Sequence, residues 1–140
     1  MSDRYFLDTN IFVYSFDSAA PAKARKAQDL IAEALATGKG VVSYQVVQEF
    51  FNAALRRFAL PMKIADAERY LTSVFRPLLG VQSSGALFSQ ALLTFGKNKL
   101  SWYDSLIVAA ALQANCDLLY SEDMQHGQKY GNLRVVNPFL

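Results

Sequence analysis

One cysteine and one histidine, Cys116 and His126, are all that this 140-residue chain offers in thiolate or imidazole ligands. A single thiol excludes an internal disulfide and a multi-thiolate zinc site. His126 is too solitary to found a histidine-based catalytic set and is expected in a surface loop. No apolar run approaches the roughly 20 residues of a membrane-spanning helix, so no membrane contact is expected. The opening residues, Met1 to Leu7, lack a basic leader followed by a long apolar stretch, which argues against a signal peptide. Repeats, low-complexity tracts and linker-like composition shifts are missing as well. A reducing cytoplasm is the expected location.

Acid is also scarce, with twelve Asp and Glu against fourteen Lys and Arg, for a net charge of +2 and a pI near 8.7. That balance permits nucleic-acid binding without arguing for it. The basic residues cluster locally as Lys23, Arg25 and Lys26, as Arg56 and Arg57, and as Lys97 and Lys99. Each cluster reads first as a solvated helix face. The hydrophobic share of 52% is that of an ordinary globular protein, and one domain over residues 1–140 is expected.

Short apolar runs alternate with helical patterns along the chain. Residues 4–8 read as a buried strand ending on an acid, with Thr9 and Asn10 starting the next segment. Helical spacing runs from Ala22 to Thr37 and stops at Gly38 and Gly40. A strand over Val41–Ser43 leads into a helix that extends to about Ala59, before Leu60 and Pro61. Further helices are expected over 62–75, from Ser83 or Ser84 to Phe95, and over 102–114, with a brief apolar stretch from Leu78 to Val81. The helical pair between Ala59 and Gly96 is a candidate projecting arm. Strands over 118–120 and 133–136 flank a loop over 121–131. Such alternation predicts an α/β fold with a mainly parallel sheet and helices on its faces.

Four of the scarce acids stand against these apolar runs. Asp8 ends the first strand, where an open parallel sheet gathers its ligands, although it also suits a helix cap. Glu49 lies mid-helix among Gln45, Val46, Asn52 and Ala53, a strip fit for a cleft margin or for an exposed face. Asp104 completes a Ser-x-x-acid capping box with Ser101, yet Ile107, Val108 and Ala111 follow on the stripe that must face the core. Asp123 lies just beyond the strand 118–120, with Glu122 as its competitor. Burying carboxylates without partners is costly, and little nearby supplies cations. One shared divalent ion accounts for all four acids, and oxygen ligands select Mg²⁺ or Mn²⁺ over zinc.

Four segments in order carry a family resemblance: Phe6-Leu7-Asp8-Thr9-Asn10-Ile11-Phe12-Val13-Tyr14; Ser43-Tyr44-Gln45-Val46-Val47-Gln48-Glu49-Phe50; Trp102 through Ala111; and Tyr120-Ser121-Glu122-Asp123-Met124. With them the chain resembles PIN-domain proteins, specifically the VapC-type toxins of bacterial toxin–antitoxin pairs. The resemblance implies a three-layer α/β/α sandwich, Mg²⁺- or Mn²⁺-dependent endoribonuclease activity, a homodimer and a cognate antitoxin. It places Asp8, Glu49, Asp104 and Asp123 on the family's acidic quartet, and Thr9, Asn10 and Ser121 on its supporting polar positions. Glu122 falls on a variable position, which favours Asp123. The family's usual basic residue near the last acid is not evident.

The mechanism expected is metal-assisted hydrolysis of an RNA phosphodiester, with Asp8 and Asp104 holding an ion and Asp123 and Glu49 completing its shell. Surface Lys and Arg would attract the RNA backbone. Tyr14, Trp102 and Tyr103 are candidates to stack on an unpaired base, or else pack in the core. Two rival readings stand beside this one. The first is a non-catalytic, metal-retaining module that binds RNA or protein. The second is a phosphotransferase with Asp8 as a phosphorylated nucleophile, whose usual second acid two residues on is here Asn10.

Overall fold

The computed structural model describes residues 3–140, which form a three-layer α/β/α sandwich. Strands β1 (Tyr5–Leu7), β2 (Gly40–Ser43), β3 (Leu79–Val81), β4 (Leu118–Tyr120), β5 (Lys129–Tyr130) and β6 (Leu133–Val136) build one sheet in the order β3-β2-β1-β4-β6-β5. All pairings are parallel except β5 with β6. Every residue of β1 is buried, as a strand covered on both faces must be. Its neighbours lie on opposite sides, with Phe6 level with Val41 of β2 and with Leu119 of β4. The carboxyl ends of β1, β2 and β4 therefore open on a single edge of the sheet.

Among the described residues, seven α-helices are interleaved with the strands. Helix α1 (Thr9–Tyr14) is the segment started by Thr9 and Asn10, and α2 (Pro21–Thr37) opens with a proline whose missing N–H costs nothing in a first turn. Gly38 ends α2 in the left-handed region at φ 71°. Gly40 is required for a different reason: a Cβ there would stand 2.3 Å from that of Ala34, so only glycine lets β2 pass under α2. Helix α3 (Tyr44–Ala54) stops five residues short of the expected Ala59, and the chain leaves it through turns. The expected helix over 62–75 divides into α4 (Ile64–Tyr70) and a π-helical turn, Leu71–Phe75, which runs on into the three-residue α5 (Arg76–Leu78).

Among the described residues, the segment expected as an arm packs against the body instead. Phe50 stacks on Tyr70 at 5.1 Å between centroids and meets Phe75 edge-on at 5.2 Å, pinning the segment after α3 to the core. Phe75 and Leu78 are buried there as well. Helix α6 (Gly85–Lys97) packs along α7 (Trp102–Gln113). Residues Ser105 to Ala111 of α7 are all buried, as expected of a helix that is apolar around its whole circumference. Strand β5 falls inside the span expected to be loop, whereas β4 and β6 lie where the apolar runs place them.

Candidate active site

Pairing between β1 and β4 continues one step past the strands, where the N–H of Asp8 donates to the carbonyl of Tyr120 at 3.0 Å. The chain then turns into α1, and Asp8 caps that helix. Its Oδ1 accepts from the N–H of Thr9 at 2.7 Å, while Oδ2 accepts from the hydroxyl of Ser121 at 2.9 Å. Capping and inward placement thus coincide in one residue, which is only 7% exposed. Burial pushes its carboxyl up to about 6, against the pull of the Thr9 N–H and the Ser121 hydroxyl, and the charges of Glu49 and Asp104 push the same way.

Glu49 projects from α3 toward the same point. Its Oε1 accepts from the Thr9 hydroxyl at 2.6 Å and its Oε2 from the Gln45 amide at 3.3 Å. That amide also donates to the carbonyl of Tyr103 at 3.2 Å, which ties the first turn of α3 to the first turn of α7. Asp104 sits in that turn of α7, and its N–H donates to the capping hydroxyl of Ser101 at 3.0 Å. Partial burial raises the Asp104 carboxyl above its usual range. Ser101 opposes the rise, and the charges of Asp123 and Glu49 add to it.

Asp123 and Glu122 are separated by their partners. The Asn10 amide donates to Asp123 at 2.6 Å and holds it, still exposed, at the rim of the acid cleft. Glu122 accepts from the Lys23 ammonium at 2.5 Å and from the Tyr14 hydroxyl, and Lys23 holds its carboxyl below the usual range. Lys23 in turn lies over the Tyr14 ring, 4.5 Å from its centroid. The acid that local sequence could not distinguish from Asp123 is thus committed to a surface cluster.

All four acids line one cleft of about 560 Å³, together with Thr9 and Asn10, while Ser121 backs Asp8 from beneath. Their donor chemistry, carboxylate oxygen with no thiolate or imidazole, fits a hard divalent cation. A cation there would offset the burial that chiefly raises Asp8 and Asp104 and relieve the mutual repulsion that adds to it. Among the described residues, however, no three acids stand close enough together to form a ready-made metal-holding group. The carboxylates share a cleft rather than a finished coordination sphere. His126 lies in the exposed loop expected for it, and its Nδ1 accepts from the N–H of Asn137 at 2.9 Å.

Sequence reading missed the cation of this cleft. Arg57, noted only as half of a basic pair, lines it alongside the acids. The signal existed: Gln45, Glu49, Ala53 and Arg57 recur every four residues, which places them on one helical face. The expected end of the helix obscured nothing, because the Arg57 N–H still donates to the Ala53 carbonyl at 2.7 Å beyond the last regular turn.

Comparison with known proteins agrees with this architecture. The PIN domain family matches residues 5–131. No curated protein matches the chain. Among solved structures, a toxin–antitoxin complex from Klebsiella pneumoniae is similar at 17% identity and a TM-score of 0.65, over 96% of this chain and 97% of that one. VapBC2 from Rickettsia felis, bound to a DNA fragment from its promoter, is similar at 15% identity and a TM-score of 0.66, over 94% and 96%. VapC20 from Mycobacterium tuberculosis, a sarcin–ricin loop cleaving toxin, matches at 22% identity and a TM-score of 0.57, over 84% and 88%. At these identities the solved structures establish the fold, and the family match spans β1 to β5, the helices and all four acids. The chain belongs to the PIN domain family.

Proposed function

We propose that this protein is a Mg²⁺- or Mn²⁺-dependent endoribonuclease and the toxin member of a VapC-type toxin–antitoxin pair. One observation carries the reading: four acids from remote parts of the chain line a single cleft, the most deeply buried of them at the carboxyl end of the central strand. Asp8 and Asp104 would hold the ion, with Glu49 and Asp123 completing its surroundings. When bound, the ion supplies a Lewis acid for the phosphoryl group and lowers the proton affinity of water.

The chain's own residues supply orientation. The Thr9 N–H and the Ser121 hydroxyl fix both oxygens of Asp8, and the Thr9 hydroxyl and Gln45 fix those of Glu49. Asn10 holds Asp123. These bonds keep the carboxylates directed at one space while leaving lone pairs for a cation. Arg57 is exposed and lines the same cleft, where its charge would attract an RNA phosphate.

The protein would act as a single cytoplasmic domain and a homodimer. No helix among the described residues is long and apolar enough to cross a membrane. Its antitoxin would silence it by placing an arginine or lysine among the acids. That partner follows from the likeness to a toxin–antitoxin complex and to VapBC2.

Asp8→Asn and Asp104→Asn are nearly isosteric and test the assignment directly. With Mn²⁺ and a structured RNA, each variant is expected to lose at least about a hundredfold in cleavage rate, the order seen when an acid–base or electrostatic group is removed. Parent-rate cleavage by both variants overturns it. The alternative is a non-catalytic module that retains the metal site and binds RNA or protein without cutting. RNA binding in EDTA with no cleavage after Mn²⁺ addition is the outcome that selects it.

A further inference from the structure

A second cavity adjoins the acid cleft. It holds about 240 Å³ between the first turns of α3 and α7 and the start of α6. Gln45 and Tyr103 line both spaces, and the hydrogen bond between them forms the wall that the two share. Its character is unlike that of the acid cleft, for no charged residue lines it. Trp102, Tyr103 and Phe88 supply aromatic surface, with the Trp102 and Phe88 rings 6.5 Å apart and tilted by 40°. Four polar side chains, Ser43, Gln45, Gln48 and Ser83, sit among them.

Gln48 is exposed on α3. Ser43 is 3% exposed, and its hydroxyl is buried without a hydrogen-bond partner. An unpaired buried hydroxyl costs free energy and is uncommon in folded proteins. Ser43 is also the last residue of β2 and stands at the N-cap of α3, yet its side chain makes no capping bond. The hydroxyl is spared the role that its position would normally give it.

Aromatic walls, a free hydroxyl and an amide, set one wall away from a cleft for a phosphate, match the needs of a nucleobase. Bases are held by stacking on rings and read by hydrogen bonds along their edges. We propose that this pocket is a subsite for one unpaired base of the RNA strand whose phosphate lies over the acids, with Ser43 and Gln48 reading its edge. The inference rests on the ribonuclease reading above. The pocket thereby contributes to the choice of cleavage sequence, while the acids act on any phosphodiester placed over them.

Trp102 is the sole tryptophan of the chain, so its emission reports on the pocket directly. The full-length protein is titrated in EDTA with RNA pentanucleotides of A, C, G or U, and with an abasic pentamer carrying the same phosphates. At least one base-bearing strand is expected to quench Trp102 saturably while the abasic strand does not. Ser43→Ala or Gln48→Ala is expected to change the relative affinities of the four strands by about tenfold, the scale of one good edge contact, with the thermal midpoint not lowered. Equal quenching by the abasic strand overturns the proposal, as does an unchanged ranking in both variants. A fall in apparent mass of Gln48→Arg on size exclusion also overturns it, because a second copy of the chain would then cover the pocket. Base-dependent quenching with no cleavage on Mn²⁺ addition retires the hydrolytic reading instead, and cleavage without quenching retires only the base subsite.

Discussion

Asp8 is held in a state its surroundings resist. Buried beside the cleft, it keeps its proton up to about pH 6, against an ordinary value of 3.8. Below about pH 4 the carboxyl is protonated in both folded and unfolded chains and makes no difference to stability. Between about pH 4 and 6 the unfolded chain releases the proton that the folded chain retains, so stability falls as pH rises, by about 3 kcal/mol in all. In EDTA, Asp8→Asn should therefore melt well above the parent at pH 7.5, and the advantage should vanish below pH 4. Equal midpoints at both pH values would show that Asp8 carries no such penalty. Asp8 was legible in the sequence because an apolar strand runs straight into it. The distinction between Asp123 and Glu122 was not legible, since it depends on Lys23 and Tyr14, about a hundred residues distant.

Among the elements, those with a strong apolar signature stand where the sequence puts them. Helices α2, α6 and α7 and strands β1, β2, β4 and β6 announce themselves by runs or by spacing. The two-residue β5 is too short to show a period, and its existence depends on β6 lying beside it. The π-helical turn after Tyr70 was hidden for a related reason. It runs between Tyr70 and Phe75, whose rings both pack on Phe50. That ring cluster is also what converts an expected arm into part of the core. Phe50→Ala should cost about 3–5 kcal/mol in urea unfolding and should hasten amide exchange across residues 58–75 more than in β1. A loss under about 1 kcal/mol would mean that the rings do not clamp this segment.

At the scale of the whole molecule, the acids are brought together by topology and kept apart by charge. A cation bound only by the folded chain should draw on both facts. Free Mn²⁺ at about 100 times its dissociation constant adds about 2.7 kcal/mol to stability, so the thermal midpoint should climb with Mn²⁺ or Mg²⁺ and stop climbing in Asp104→Asn. A parent midpoint indifferent to both ions would remove the metal from the account. The order of the strands has one more effect, and it concerns assembly. Asp8 follows β1, but the carbonyl and hydroxyl that seat it belong to Tyr120 and Ser121, and the Ser121 N–H is itself bound to Val136. The seat of Asp8 is therefore finished only once the segment from Tyr120 to Val136 has docked, so a chain cut before that segment should leave this residue without two of its partners.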